Sequence, residues 1–202
     1  MRPTLEDLKR SQLYSEELGI DLFRNTDQEC FKWFLASVLF GGRITETIAK
    51  HTYQAFVRHD LLTPQKIIEA GWDFLVFPVM REGGYVRYDG RKSTQILSDC
   101  QMLLDEYDGS LKRIHELATD PADLEARLKA FYGVGEVTAN IFLRELRPYW
   151  SKADPEPLPI VYELAGRLNI NLGQFDRKTV TFIRIEAGLI RLRKQLYLSS
   201  KG

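Results

Sequence analysis

The spacing of apolar residues is the feature that most limits the possible folds of this chain. Phe31, Phe34, Leu35, Val38 and Leu39 recur every three or four residues, as on one face of a helix, and similar spacings follow in most later segments. No stretch alternates apolar and polar residues in the way that a half-buried strand requires. Helix-start signals also repeat: an N-cap residue followed by proline occurs at 63–64 and again at 120–121, and Asp27 is expected to cap the helix that carries Phe31 to Leu39. The sequence therefore predicts an all-α fold.

Residues 128–143 predict two helices joined by a tight turn that contains Gly133 and Gly135. Glycine accepts positive φ without steric cost, so the backbone can reverse sharply there, and a second helix is expected to start near Glu136. Unpaired N–H groups at such a helix start can hold an anion such as phosphate. The two glycines alone favour the alternative, an ordinary turn in which Gly133 ends the first helix.

The 202 residues suffice for one substantial core or for two small lobes. We predict a helical domain over 27–147, which contains the hairpin, and a second helical lobe formed by 1–26 together with 160–202. The connector between them, 148–159, is expected to be irregular because proline cannot continue a helix or pair in a sheet. Its prolines are Pro148, Pro155, Pro157 and Pro159.

The formal net charge is zero and 44% of the residues are apolar, which is typical of a globular protein without an overall nucleic-acid signature. No apolar run approaches the length of a membrane span, and Met1 leads directly into a charged segment, so we expect no membrane association and no leader peptide. Cys30 and Cys100 lie in apolar helical patterns and are expected to be buried thiols. These features predict a cytoplasmic or nucleoid-associated protein.

The charge is uneven along the chain. Residues 1–29 are acidic, whereas only Asp176 and Glu186 oppose the basic residues from 174 onwards. A basic segment suits a phosphate backbone, although a solvated helix face explains it equally well. The basic residues of this segment are Arg177, Lys178, Arg184, Arg191, Arg193, Lys194 and Lys201.

Three segments of the sequence, 34–46, 84–94 and 128–140, in this order resemble motifs of the helix-hairpin-helix DNA glycosylases of the endonuclease III type. Residues 34–46 are similar to the family's apolar helix and the loop that follows it. Residues 84–94 are similar to the family's glycine-tyrosine loop before a long helix. Residues 128–140 are close to its Leu-Pro-Gly-Val-Gly hairpin motif. The resemblance covers about 27–168 and implies a two-lobed helical fold with a DNA cleft between the lobes.

The resemblance also implies that the protein binds double-stranded DNA and takes the target nucleotide out of the base stack before its glycosidic bond is cleaved. Arg43 matches the family position that fills the gap in the stack. The hairpin offers its N–H groups to one phosphate. The residues implied in DNA binding are Gly133, Val134, Gly135, Thr138, Arg43, Arg91 and Lys92.

Two departures from the family bear on catalysis. Val137 stands where bifunctional members place a nucleophilic lysine, so imine chemistry with the sugar is not supported. The essential family aspartate would fall on Leu158 or Pro159, which leaves Asp154 and Glu156 as the nearest candidate carboxylates. No cysteine follows Cys100, so we expect no iron–sulfur cluster and no other cofactor.

Two hypotheses remain open from the sequence. The first is a monofunctional glycosylase in which Asp154 or Glu156 stabilises the sugar cation or orients the attacking water. The second is a catalytically inactive relative that recognises damaged or distorted DNA. The sequence indicates neither the lesion nor the oligomeric state.

Overall fold

The computed structural model describes residues 3–199, with side chains up to residue 193, and over that part of the chain it contains helices and no strand. The all-α prediction is confirmed. Short 3-10 helices cover Leu22–Arg24 and Leu172–Gln174, and a π-helical stretch, Leu75–Met80, follows α5. The α-helices are α1 Leu5–Lys9, α2 Tyr14–Glu17, α3 Asp27–Phe40, α4 Glu46–Arg58, α5 Pro64–Phe74, α6 Asp89–Tyr107, α7 Leu111–Leu117, α8 Pro121–Lys129, α9 Glu136–Leu146, α10 Pro159–Arg167 and α11 Val180–Ser199.

The predicted helix starts at Thr63 and Asp120 are confirmed, since both side chains accept a hydrogen bond from the backbone N–H three residues later. At the start of α3 the cap is Thr26 rather than Asp27, and its hydroxyl accepts from the N–H of Glu29 at 3.2 Å. Asp27 occupies the first helical turn instead, where its negative charge favours the helix dipole. Sequence reasoning placed this cap one residue too late.

A large apolar cluster is built around α3 and holds the hairpin in place. Trp33 is fully buried, and its indole N–H donates to the carbonyl oxygen of Phe142 on α9 at 3.0 Å. The ring of Phe34 lies edge-on to those of Phe131 and Phe142, which flank the hairpin. The N-terminal and C-terminal sides of the hairpin are thus packed on the same helix.

A second, smaller cluster forms where α10 packs on α11 and on Leu8 of α1. Helix α11 faces both clusters: Ile183 and Ala187 belong to the first, whereas Phe182 and Leu189 belong to the second. The segment 13–22, which falls in the range predicted for the second lobe, packs into the first cluster through its apolar residues. These are Leu13, Tyr14, Leu18, Ile20 and Leu22.

The basic C-terminal segment pairs with acidic groups of this chain. Arg184 makes two hydrogen bonds to the carboxylate of Glu16, and Arg191 donates to Glu17 at 3.0 Å. The ammonium group of Lys178 donates to main-chain carbonyl oxygens, including that of Ser151 at 2.9 Å. Arg184 and Arg191 therefore join the C-terminal helix to the acidic N-terminal segment, whereas Lys178 joins the start of the basic segment to the connector. Neither a phosphate contact nor a solvated helix face describes these three side chains. The side chain of Lys194 and all of Lys201 lie outside the described residues.

Candidate nucleic-acid interface

The predicted hairpin is present: α8 ends at Lys129, α9 begins at Glu136, and the chain reverses between them. Gly133 has φ +82°, in the region that favours glycine, and Gly135 is the extended residue that caps α9. Both glycines are exposed, whereas the Val134 side chain between them is buried in the first cluster. The buried valine anchors the turn and leaves its glycine backbone facing outward.

The three segments singled out in the sequence lie against one another. Gly41, at the end of α3, packs on the buried side chain of Thr138 in the first turn of α9. A β-carbon on Gly42 would stand 3.1 Å from the hydroxyl oxygen of Tyr85, in the glycine-rich loop. Thr138 therefore faces the interior and does not present its hydroxyl to solvent. The structure brings the loop after α3 into contact with both the hairpin and the segment before α6.

Exposed basic side chains lie on these three segments without a carboxylate partner among the described residues. We call Arg43, Arg87, Arg91 and Lys129 the arginine rim. Arg43 and Arg91 are exposed, and neither makes an ion pair within the described chain. Arg87 lies over the Tyr88 ring, 5.0 Å from its centroid, and donates to the Tyr88 hydroxyl at 3.2 Å. Lys129 is exposed at the end of α8, immediately before the hairpin. This rim leaves positive charge available to an anionic ligand.

Lys92 occupies a different environment from the phosphate contact implied for it. Its side chain is buried, and its ammonium group donates to the carbonyl oxygen of Val38 near the end of α3 at 3.3 Å. Burial lowers its pKa, because an apolar environment disfavours the charged form. In this structure Lys92 supports the end of α3 and does not belong to the exposed rim.

A groove of about 600 Å³ opens beside the hairpin, between the start of α9 and the start of α10. Leu158 and Pro159, the positions matched to the family aspartate, lie in its wall, and so does Val137, whose side chain is 55% exposed. The groove is large enough for a small planar molecule. Its lining residues are Glu125, Glu136, Val137, Asn140, Pro155, Glu156, Pro157, Leu158, Pro159 and Tyr162.

The two candidate carboxylates differ in position. Glu156 lines the groove, and the Asn140 amide holds its backbone by donating to its carbonyl oxygen at 2.8 Å. Asp154 is not in the groove wall: its carboxylate accepts from Arg177 at 2.8 Å and lies 3.6 Å from Nε of the buried Arg147. Of the two candidate carboxylates, the connector therefore brings only that of Glu156 to the groove.

The Glu156 carboxylate is itself engaged. The Tyr162 hydroxyl donates to one oxygen, and Arg177 donates to the other at 2.5 Å. These two hydrogen bonds lower the pKa of Glu156, since each stabilises the ionised form. As the structure stands, Glu156 is suited to stabilise a cation and is a weak proton acceptor.

Sequence reasoning missed two further acids of the groove. Glu125, from α8, and Glu136, the first residue of α9, both line it, and neither forms an ion pair within the described chain. No local sequence motif identifies Glu125 as a groove residue, because the groove is formed by elements far apart in sequence. Sequence reasoning also missed Arg177, which pairs with both Asp154 and Glu156. The two closely spaced carboxylates of the connector were a signal that a basic partner was needed.

Neither a metal centre nor a membrane span is found in the part of the chain that the structure describes. Its His, Cys, Asp and Glu side chains form no group of three arranged to hold a metal ion. None of its helices combines the length and apolarity that crossing a bilayer requires. No protein-family model, curated protein or solved structure matches the chain.

Proposed function

We propose that the protein binds double-stranded DNA through the hairpin and the arginine rim, and that it cleaves the glycosidic bond of a damaged base in the adjoining groove. The observation that carries this proposal is the contact of three segments far apart in sequence: Gly41 packs on Thr138 of the hairpin segment, and Gly42 approaches Tyr85 of the glycine-rich loop. A cytoplasmic or nucleoid-associated location and the two-lobed family architecture, with its DNA cleft, are part of the same proposal.

The hairpin and its rim suit a phosphate chemically. The first N–H groups of α9 have no acceptor within the helix, and Gly135 leaves the approach to them open, since a β-carbon there would meet no atom within 4 Å. Arg43 and Arg91 add charge that holds neighbouring phosphates without reading sequence. The Arg43 guanidinium plane is also able to occupy the gap left by an extruded nucleotide.

In the groove, Glu156 is the proposed carboxylate for the sugar. A glycosidic bond breaks with positive charge developing on the sugar ring, and a carboxylate beside that ring stabilises the charge. The low pKa of Glu156 suits this role, because the group stays ionised. Val137 excludes an imine intermediate at its own position, so water completes a monofunctional hydrolysis.

A catalytically inactive DNA-binding protein is the second candidate. It is favoured by the contacts of Glu156, whose oxygens are both occupied by Tyr162 and Arg177. Positions Leu158 and Pro159 supply no replacement acid. This protein would bind distorted duplex without releasing a base.

The binding test uses Gly135→Asp. Aspartate is a favourable N-cap residue, so the helix is retained or stabilised while a negative side chain enters the path of the phosphate. We expect duplex binding in fluorescence anisotropy to be lost, whereas Gly135→Asn, an equally good cap without charge, retains part of it. Equal affinity of both variants and the wild type would exclude the hairpin as the phosphate site.

The catalytic test is single-turnover release from duplexes that carry one oxidised, deaminated or alkylated base, at enzyme excess. We expect release by the wild type and a loss of about 10²–10³ in rate for Glu156→Gln, the range for removal of one group that stabilises charge in the transition state. Glu163→Gln serves as the control because this exposed residue does not line the groove. Binding with no release from any duplex would instead establish the inactive protein.

A further inference from the structure

The carboxyl group of Asp99 is buried behind the hairpin with no hydrogen-bond partner of good geometry. Asp99 lies on α6 and is 2% exposed, and neither carboxyl oxygen meets a donor at hydrogen-bonding distance and angle within the described chain. Buried polar groups are nearly always paired, so an unpaired carboxyl group needs a physical explanation. A cavity of about 10 Å³ beside it offers roughly the room of one water molecule.

Three structural elements surround this group. The hairpin presents the backbone N–H of Tyr132, which lies close enough to lower the pKa of Asp99 although the contact is not a well-formed hydrogen bond. Helix α6 contributes the Lys92 ammonium group and the Cys100 thiol, which both interact electrostatically with Asp99. Helix α3 contributes only apolar side chains to the cavity: Phe31, Phe34, Leu35 and Val38.

The same face of α6 supports both loops of the proposed interface. A β-carbon on Gly133 would stand 2.5 Å from the amide nitrogen of Gln95, so the hairpin backbone rests directly on α6. One turn before Gln95 in the chain, the Lys92 ammonium donates to Val38 near the end of α3, from which the Arg43 loop departs. Asp99 is the ionisable group of this face that adjoins the hairpin backbone.

We propose that Asp99 is a positioning residue for the phosphate-binding hairpin, and that it maintains the phosphate-binding arrangement only while it is protonated. A neutral carboxyl group leaves the hairpin N–H groups free to face an anion. An ionised one attracts the Tyr132 N–H inward through a charge-assisted hydrogen bond and places a negative charge behind the phosphate site. This inference rests on the proposed function, because it assigns the hairpin a phosphate ligand.

Burial sets the pH at which this change takes place. Desolvation raises the pKa of Asp99 to about 8, and the Lys92 charge and the Tyr132 N–H only partly oppose that rise. Asp99 is therefore neutral at pH 6.5 and mostly ionised at pH 9. The affinity of the protein for DNA is therefore expected to fall between pH 6.5 and pH 9.

The first measurement needs no DNA. Amide resonances of Tyr132 and Gly133 are followed by NMR from pH 6.5 to 9 in the wild-type protein, in Asp99→Asn, which cannot ionise, and in Glu106→Gln, which removes an exposed acid from the same helix. We expect a titration with a midpoint near 8 in the wild type and in Glu106→Gln, and none in Asp99→Asn. Resonances that do not titrate in the wild type overturn the proposal even if the asparagine variant does not fold.

The second measurement is duplex affinity at fixed salt over the same pH range. We expect the wild type to lose roughly tenfold in affinity, the order of magnitude for two unit charges about 10 Å apart at an effective dielectric constant of ~20. Asp99→Asn is expected to keep its affinity, and Glu106→Gln to behave like the wild type. If the duplex affinities of wild type and Asp99→Asn changed with pH in parallel, Asp99 would have only a structural role and the proposal would be overturned.

The two measurements separate the possible failures. Absence of DNA binding at every pH overturns the proposed function, and the amide titration then still decides whether Asp99 controls the hairpin. DNA binding that Gly135→Asp abolishes, together with identical pH profiles for wild type and Asp99→Asn, leaves the proposed function in place and overturns the role of Asp99.

Discussion

Thr138 lies so close to Gly41 that a β-carbon at residue 41 would stand 2.0 Å from the threonine hydroxyl oxygen. The backbone of Gly41 is right-handed helical, at φ −72°, so any residue could adopt it and only this contact requires glycine. The end of α3 and the first turn of α9 are thereby held in direct contact. This contact links the Arg43 loop to the hairpin.

Gly41→Ala is expected to separate these two elements. Because the added methyl group overlaps the side chain of Thr138, we expect a loss of about 1–3 kcal/mol in the free energy of unfolding, measured in urea, together with weaker duplex binding. Thr138→Ala in the same chain should restore part of both, as a double-mutant cycle would show. Gly166→Ala, where a β-carbon meets nothing within 4 Å, is the control. Additive effects of Gly41→Ala and Thr138→Ala would contradict the contact.

The arginines differ in their availability for an anionic ligand. Arg43→Gln with Arg91→Gln removes two exposed unpaired charges, so the slope of log K against log salt should become shallower by about two. Arg184→Gln with Arg191→Gln removes two charges already paired with Glu16 and Glu17. This control should leave the slope unchanged and lower stability by roughly 0.5–2 kcal/mol. Equal slopes for both double variants would place the interface elsewhere.

Stability should depend on pH through Asp99. The folded protein retains a proton on Asp99 up to about pH 8, whereas the unfolded chain releases it near the ordinary value of 3.8, so the folded state binds the extra proton between these values. The free energy of unfolding therefore falls as pH rises through that window, by at most about 1.4 kcal/mol per pH unit. The asparagine variant lacks this loss, and its advantage over the wild type should grow from pH 5 to 8 and then level off. A constant difference between the two urea curves would show that Asp99 is ionised throughout.

Both thiols should be inert in the folded protein. Burial raises the pKa of Cys30 to about 12 and raises that of the Cys100 thiol as well, so neither has an appreciable thiolate population at pH 8. We expect no reaction with a disulfide reagent until denaturant is added, and two equivalents afterwards. Ser98→Cys, at an exposed position of α6, is the positive control. Rapid labelling of either native cysteine would indicate that its helix opens.

Local patterns in the sequence predicted much of the framework. The apolar spacing in α3, the caps at Thr63 and Asp120 and the double-glycine turn each depend on residues within one or two helical turns. The N-cap of α3 was misplaced by one residue because Thr26 and Asp27 are both good caps and only the backbone distinguishes them. The packing of 13–22 was not predicted, because its apolar residues are too few and too irregularly spaced for a helical face.

The site was less accessible to sequence reasoning. The sequence offered Asp154 and Glu156 as equivalent loop acids, and their separation depends on Arg147 and Arg177, which are 30 residues apart and hold Asp154 away from the groove. The family resemblance implied a DNA contact for Lys92, but its ammonium group is buried and donates to the Val38 carbonyl oxygen near the end of α3. Glu125 lies in the groove because α8 packs against α9, and no local sequence pattern predicts that contact.

The sequence by itself determined the helices, their caps and the reversal at Gly133, because these follow from the conformational preferences of neighbouring residues. The tertiary structure alone decided which charges remain available. It paired the basic C-terminal helix with Glu16 and Glu17, left Arg43 and Arg91 exposed without an ion pair among the described residues, and enclosed Asp99 behind the hairpin. The availability and pKa of an ionisable group depend on atoms within a few ångströms, and those atoms come from segments that only folding brings together.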